Sequence, residues 1–308
     1  MKHPPYHLRL NKAVDRLLLI EIINRLSSLK KLTNYTYYGF GGPFLEDFRL
    51  LYEHCPGLNM VSIERDEETF KRQHFHLPCN KITLSLSEMT DYINQLDVPD
   101  KDGSVVWLDY TDLKPQAFDD FGSLLTTLNV NSVVKVTLQS SQKSYENKQK
   151  EFKNEFSEFI PESLDYPRSN LDFAHLLQKM LRIATQKNLQ GENDLVFQPL
   201  ESYYYKDSCG MFSFTGIICC EKDVKKIKKI FKELPNAFFE WQCPKIIDVP
   251  ALSTKERLYL QRFLPKRKVD LQKKLGYNIC QDEDESIQSL NQYATFHRHF
   301  PYFIKANP

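Results

Sequence analysis

Three glycines, one carboxylate and an acid–phenol pair are the groups in this sequence best placed to bind and transform a ligand. Gly39, Gly41 and Gly42 stand in the run GFGG, directly after Tyr35, Thr36, Tyr37 and Tyr38, whose β-branched and aromatic side chains favour a strand. Glycines at such a turn let backbone approach a ligand with no Cβ in the way. A helix is expected over residues 44–54, where Leu45, Phe48, Leu51 and Tyr52 share a face, so its first-turn N–H groups and positive dipole end point at whatever the glycines cradle. A second strand, Asn59 to Ile63, delivers Glu64 to its carboxyl end. Glu64 follows Gly42 by 22 residues, close to the roughly twenty at which a carboxylate can accept hydrogen bonds from ribose hydroxyls. Strand, glycine turn, helix, strand and acid make half of a nucleotide-binding α/β unit, although a glycine run of this kind also occurs in turns that bind nothing.

The second constellation is Asp109 and Tyr110 in WLDYTDL, at the end of a strand over residues 104–108. Asp109 could accept a hydrogen bond from an amine or hydroxyl, and Tyr110 could stack on a substrate or line the path to it. The alternative is that Asp109 caps the following turn and Tyr110 is ordinary packing. Both groups of residues fall at carboxyl ends of neighbouring strands, where open α/β sheets form their ligand crevice.

The strands and helices around these residues follow a regular order. Asn11 is expected to cap a helix reaching about Leu26, with Val14, Leu17, Leu18, Ile22 and Leu26 as its apolar stripe. Strands are expected at 35–38, 59–63, 81–84, 104–108 and 132–138, separated by helices over 44–54, 67–75, 87–96 and 115–128. Five strands alternating with helices imply a mostly parallel, doubly wound sheet, because parallel neighbours need a crossover of helical length. Residues 140–159 read as a polar loop leading into an exposed helix, and 170–190 as an amphipathic helix. Residues 195–205 and 211–220 flank KDSCG and read as an antiparallel hairpin. A capping box, Ser253 to Glu256, opens a helix over 257–263. The fold class is thus α/β, Rossmann-like and doubly wound, with a late antiparallel hairpin, an N-terminal helix and a C-terminal helical extension. Its expected divisions are 1–34, a core over 35–234 with a helical insertion at about 140–190, and an extension over 235–308.

The chain has 308 residues with 41 Lys plus Arg against 40 Asp plus Glu, so net charge supplies no global attraction to nucleic acid or an anionic membrane. Nucleic-acid contact would be local, through the basic segments 221–232 and 265–274, which otherwise read as solvated helix faces. No stretch approaches the roughly 20 apolar residues of a membrane span. Seven cysteines, an odd number, and a polar N-terminus point to the reducing cytoplasm. His74, His76 and Cys79 lack a completing pair of ligands, so no metal is expected there. His297 and His299 read as a small basic surface.

The glycine turn, the acid after the second strand, WLDYTDL and the late hairpin together resemble class I S-adenosylmethionine-dependent methyltransferases, over roughly residues 35–220. With RLNKAVDR and VPALSTKER added, the sequence is similar to uncharacterised bacterial proteins named O-methyltransferases by similarity, some of them found beside antiviral systems. The resemblance implies S-adenosylmethionine as cofactor, held by Gly39, Phe40, Gly41, Gly42, Glu64 and Asp109, with Asp109 and Tyr110 catalytic and the methyl acceptor unspecified. It also implies a cofactor contact for Lys12, as in members with a lysine upstream of the glycine loop; a solvated lysine is the alternative. Two positions depart from the pattern: Tyr37 and Tyr38 stand where an acid precedes the glycines, and Asp109 is followed by Tyr110 rather than by Pro-Pro. These departures keep a second reading open, a catalytically degenerate nucleotide-binding or regulatory component with a protein partner. A nicotinamide-dependent oxidoreductase, which the glycine turn and Glu64 would also suit, ranks third.

Overall fold

A computed structural model describes residues 9–99, 102–162, 166–191, 194–265 and 270–301. Eight strands form one sheet: β1 Tyr35–Gly39, β2 Asn59–Glu64, β3 Ile82–Leu86, β4 Gly103–Asp109, β5 Val133–Gln139, β6 Leu195–Lys206, β7 Gly210–Cys220 and β8 Lys245–Ile247. Their order across the sheet is β3-β2-β1-β4-β5-β7-β6-β8. The first five are parallel, β7 runs antiparallel between β5 and β6, and β8 lies parallel to β6. The chain therefore reverses its direction of winding between β1 and β4. That reversal opens a crevice at their carboxyl ends.

Eleven helices are described: α1 Leu10–Leu26, α2 Glu46–His54, α3 Glu67–His76, α4 Met89–Asn94, α5 Gln116–Thr127, α6 Gln149–Glu155, α7 Asn170–Leu189, α8 Val224–Phe231, α9 Thr254–Gln261, α10 Leu271–Leu275 and α11 Glu283–Phe296. Side chains alternate across each strand, which sorts the core into two faces. Tyr35, Tyr37, Val105 and Trp107 pack under α1, α2 and α8, while Val106, Leu108, Val134 and Val136 pack under α5 and α7. The parallel, doubly wound sheet with its late hairpin is as expected. The eighth strand is an addition, contributed by the segment after residue 234. A third cluster joins β8, α9, α10 and α11 to Tyr203 and Tyr205 of β6 and to Val14 and Leu18 of α1.

Two expected local features differ. Asn11 does not cap α1; it lies inside the helix, its amide donating to the Lys206 carbonyl at 3.0 Å and its side-chain oxygen accepting from the Val249 N–H at 3.0 Å. The cap comes from a distant loop, since the Asp207 carboxylate accepts the backbone N–H groups of Asn11 and Lys12 at 3.2 and 3.0 Å. The helix expected to be exposed, α6, is charged in sequence, yet Phe152 within it and Phe156 at its end are fully buried, and Phe156 packs edge-on against Phe118 of α5. Two phenylalanines four apart are enough to seat an otherwise charged helix. The capping box at Ser253 and Glu256 is present and opens α9.

Candidate active site

The crevice holds a cavity of about 380 Å³ lined from four strand ends, within the range of roughly 300–1,000 Å³ that suits a small molecule or cofactor. The glycine turn, the end of β2, the loop after β3 and the end of β4 all contribute. Of the residues singled out in the sequence, Phe40, Gly41, Gly42, Glu64, Asp109 and Tyr110 line it. Gly39 and Lys12 do not. A Cβ on Gly39 would meet the Tyr37 hydroxyl at 2.6 Å, so this glycine makes room for a buried tyrosine rather than for a ligand.

The turn between β1 and α2 is held from below. Gly42 adopts φ of +53°, which a glycine takes without penalty, and a Cβ there would meet nothing within 4 Å. Gly41 is the opposite case: a Cβ would fall 2.4 Å from Leu45 Cδ2 and 2.5 Å from Ser62 Oγ. Buried Gln73 of α3 joins these parts, accepting from Ser62 Oγ at 3.1 Å and donating to the Gly42 carbonyl at 3.0 Å. A neutral amide thus sets the height of the loop above the sheet, and nothing in the local sequence pattern marked it.

Glu64 ends β2 with its carboxylate on the cavity wall, accepting the Asp66 N–H at 2.9 Å. Partial burial pushes its carboxyl pKa up, against backbone hydrogen bonds that pull it down. Asp66 in turn caps α3 by accepting the Thr69 N–H at 2.7 Å.

Asp109 and Tyr110 part company. The Asp109 carboxylate turns to the α1 face and accepts from Lys12, whose ammonium also stands 5.6 Å above the Trp107 ring. The Tyr110 hydroxyl lies on the α5 face and donates to Asp120, a carboxylate 2% exposed that also accepts from Thr90 at 2.9 Å and Gln116 at 3.0 Å. Burial, with Asp120 alongside, pushes the Tyr110 phenol far above its ordinary range. Its ring meets Phe40 edge-on at 5.5 Å. The pair expected to act together thus sits on two sides of the cavity, with the phenol already committed to a carboxylate.

Helix α1 brings a second cation, which is not among the residues expected at the site. Arg16, one turn after Lys12, does line the cavity, with Nε against Asp47 and Nη2 3.6 Å from Glu46 at the start of α2. Burial works against the Arg16 charge, but the carboxylates of Asp47, Glu46 and Asp109 outweigh it and hold the guanidinium above its usual range. The signal was the i, i+4 spacing in RLNKAVDR, which places both cations on one helix face. Between them Asp15 points into the sheet, where its Oδ1 accepts from Lys135 at 2.7 Å and Ser213 at 3.0 Å, all three side chains buried.

The fold and cavity define a Rossmann-like α/β protein with a nucleotide-sized crevice at the switch point of its sheet. The chain belongs to the family described as "Putative O-methyltransferase", which it matches over residues 4–308. Among solved structures it is similar to the O-methyltransferase TomG from Streptomyces achromogenes, involved in tomaymycin synthesis and in complex with SAM, at 15% identity over 65% of this chain and 78% of that one, TM-score 0.39. It is also similar to cofactor-bound Rv0187 from MTB (11% identity, 70% and 83% covered, TM-score 0.41). A third is Trm1 from Pyrococcus horikoshii with S-adenosyl-L-methionine (10%, 75% and 61%, TM-score 0.48). No curated protein matches the sequence. Among the described residues no helix is long and apolar enough to cross a membrane.

Proposed function

We propose that the crevice binds S-adenosylmethionine and that the protein transfers its methyl group to an acceptor whose proton passes to Asp109. The observation that carries this reading is that Gly41, Gly42, Glu64 and Asp109, contributed by three different strand ends, wall a single cavity. The residues fit the cofactor: Gly42 leaves open space where backbone can approach it, and Glu64 presents an acceptor for ribose hydroxyls. Bound there, the cofactor would supply a methyl group already made electrophilic by its sulfonium.

The protein's own tasks are then alignment, exclusion of water and acceptance of a proton. Asp109 accepts the proton, and Lys12 holds that carboxylate in place from behind. Arg16 and the carboxylates of Glu46 and Asp47 supply both signs of charge for the amino-acid end of the cofactor, in place of the acid that the first motif lacks. Tyr110 shapes the cavity through its ring and takes no part in proton transfer.

The test is calorimetric titration with S-adenosylmethionine of the parent protein and of Glu64→Ala. Saturable binding by the parent and its loss in the variant support the reading; no heat from the parent defeats it. A second reading is favoured by the engagement of Asp109 with Lys12, which leaves that carboxylate partnered before any acceptor arrives. In this reading the protein binds the cofactor without turning it over. Transfer of labelled methyl to any acceptor excludes it.

A further inference from the structure

We propose that the crevice selects its ligands by positive charge: it holds the sulfonium cofactor more tightly than the neutral thioether left after methyl transfer, and it takes an uncharged or cationic acceptor rather than a phosphate-bearing one. This rests on the cofactor reading above and goes beyond it, because charge selectivity is a property of the whole cavity wall.

Seven of the residues lining the cavity carry carboxylates and three carry cations. Lys12 behind Asp109 raises the cations to four, and the formal excess stays negative. The local partners do not cancel it. Asp120 is buried and held by three neutral donors, the Tyr110 and Thr90 hydroxyls and the Gln116 amide, with no cation among them. Glu64 accepts the backbone N–H of Asp66. The Arg65–Glu88 pair spans 3.7 Å on the exposed rim, where an ion pair counts for little. In a cleft walled by protein, such an excess raises the local concentration of cations and repels anions.

Among the described residues, one basic surface lies away from the cavity. Lys225, Lys226 and Lys229 are exposed on α8 and line no part of this cavity. That helix follows Cys220, and Cys220 pairs with Leu195 beyond the Val133–Ile217 pair, at the amino-terminal edge of the parallel strands. Asp109 sits at the opposite edge. A phosphate polymer drawn to α8 would be held away from the crevice.

S-adenosylmethionine carries one positive charge more than S-adenosylhomocysteine, so the two form a probe pair that differs by a methyl group and a charge. Calorimetry of the full chain at ionic strengths of about 20 mM and about 500 mM should give an affinity for the first at least about tenfold above that for the second at low salt. The gap should narrow at high salt. It should also narrow at low salt in the Glu88→Gln/Asp112→Asn variant, whose two positions are exposed on the cavity rim. Equal affinities, tighter binding of the homocysteine form, or a gap that neither salt nor the variant moves would overturn the selectivity while leaving the cofactor reading intact. No heat with either compound overturns both. Incorporation of labelled methyl into tRNA or DNA would overturn the acceptor half directly.

Discussion

Asp109 and Tyr110 are consecutive in sequence and serve opposite sides of the sheet: the carboxylate pairs with Lys12 on α1 and the phenol donates to Asp120 on α5. The alternation of a strand produces this, and it places the two side chains in different surroundings. Groups on the α1 side are charged: Arg16 reaches the cavity from the first helix, and Lys12 stands behind Asp109. Those on the α5 side are a buried carboxylate and its neutral donors, which line the cavity beside the Phe40 and Tyr110 rings.

The first consequence concerns turnover. Asp109→Asn should lower the rate of methyl transfer by about 10²-fold or more, the usual range for loss of a positioned base, with cofactor affinity changed far less. Tyr110→Phe should leave the rate within a few-fold, because the hydroxyl that is lost faces Asp120. Single-turnover rates with labelled cofactor would separate the two variants, and a severe loss in Tyr110→Phe would return the phenol to the chemistry.

Glu64 should control affinity rather than rate. Its replacement by alanine removes a charged acceptor of the kind that contributes about 1.5–3 kcal/mol, so the dissociation constant for the cofactor should rise by roughly 10–150-fold. Titration calorimetry measures this directly.

Gly41→Ala and Gly42→Ala should fail differently. At Gly41 the added Cβ meets Leu45 and Ser62 inside van der Waals distance, an overpacking that costs about 1–3 kcal/mol and lowers the melting temperature. At Gly42 the space is open and only the positive φ opposes alanine, a penalty of about 1 kcal/mol. Gly42→Ala should therefore melt close to the parent while binding the cofactor more weakly, its Cβ now standing on the cavity wall.

Glu201 predicts a pH dependence of stability. It is 1% exposed, neither of its oxygens has a hydrogen-bond partner among the described residues, and burial pushes its pKa up to about 8, opposed by nearby Lys135. The folded protein keeps this proton to about pH 8, whereas the unfolded chain gives it up near the ordinary value of 4.5. Stability from this group is complete below pH 4.5 and is lost as pH rises toward 8. Glu201→Gln should remove that loss, so the variant should outlast the parent in urea at pH 8.5 and match it most closely near pH 4.5. A parent curve that stays flat between these limits would refute the assignment.

Much of the core was legible because its signals are local. Tyr35 to Tyr38, GFGG and the following apolar face announce strand, turn and helix within twenty residues, and Glu64 follows at a spacing set by one helix and one strand. Strand ends were placed within about two residues, since pairing with neighbours rather than propensity decides the last residues of an element. The divergence of Asp109 and Tyr110 follows from strand alternation, because the Tyr110 N–H still pairs with the Thr137 carbonyl and so continues β4.

The rest depends on contacts between segments far apart in the chain. Lys12 reaches Asp109 across 97 positions and Lys135 reaches Asp15 across 120. The charged face of α1, which reads in sequence as solvent-exposed, is therefore buried against the sheet. Gln73, Arg16 and Asp120 likewise acquire their roles only when α3, α1 and α5 are docked, and β8 joins the sheet through a strand of three residues. Periodicity reports which face of an element is apolar; it carries no record of which distant charge will neutralise a buried one. The elements and the turn that opens into the cavity were thus written in local patterns, while the electrostatics around it were settled by packing.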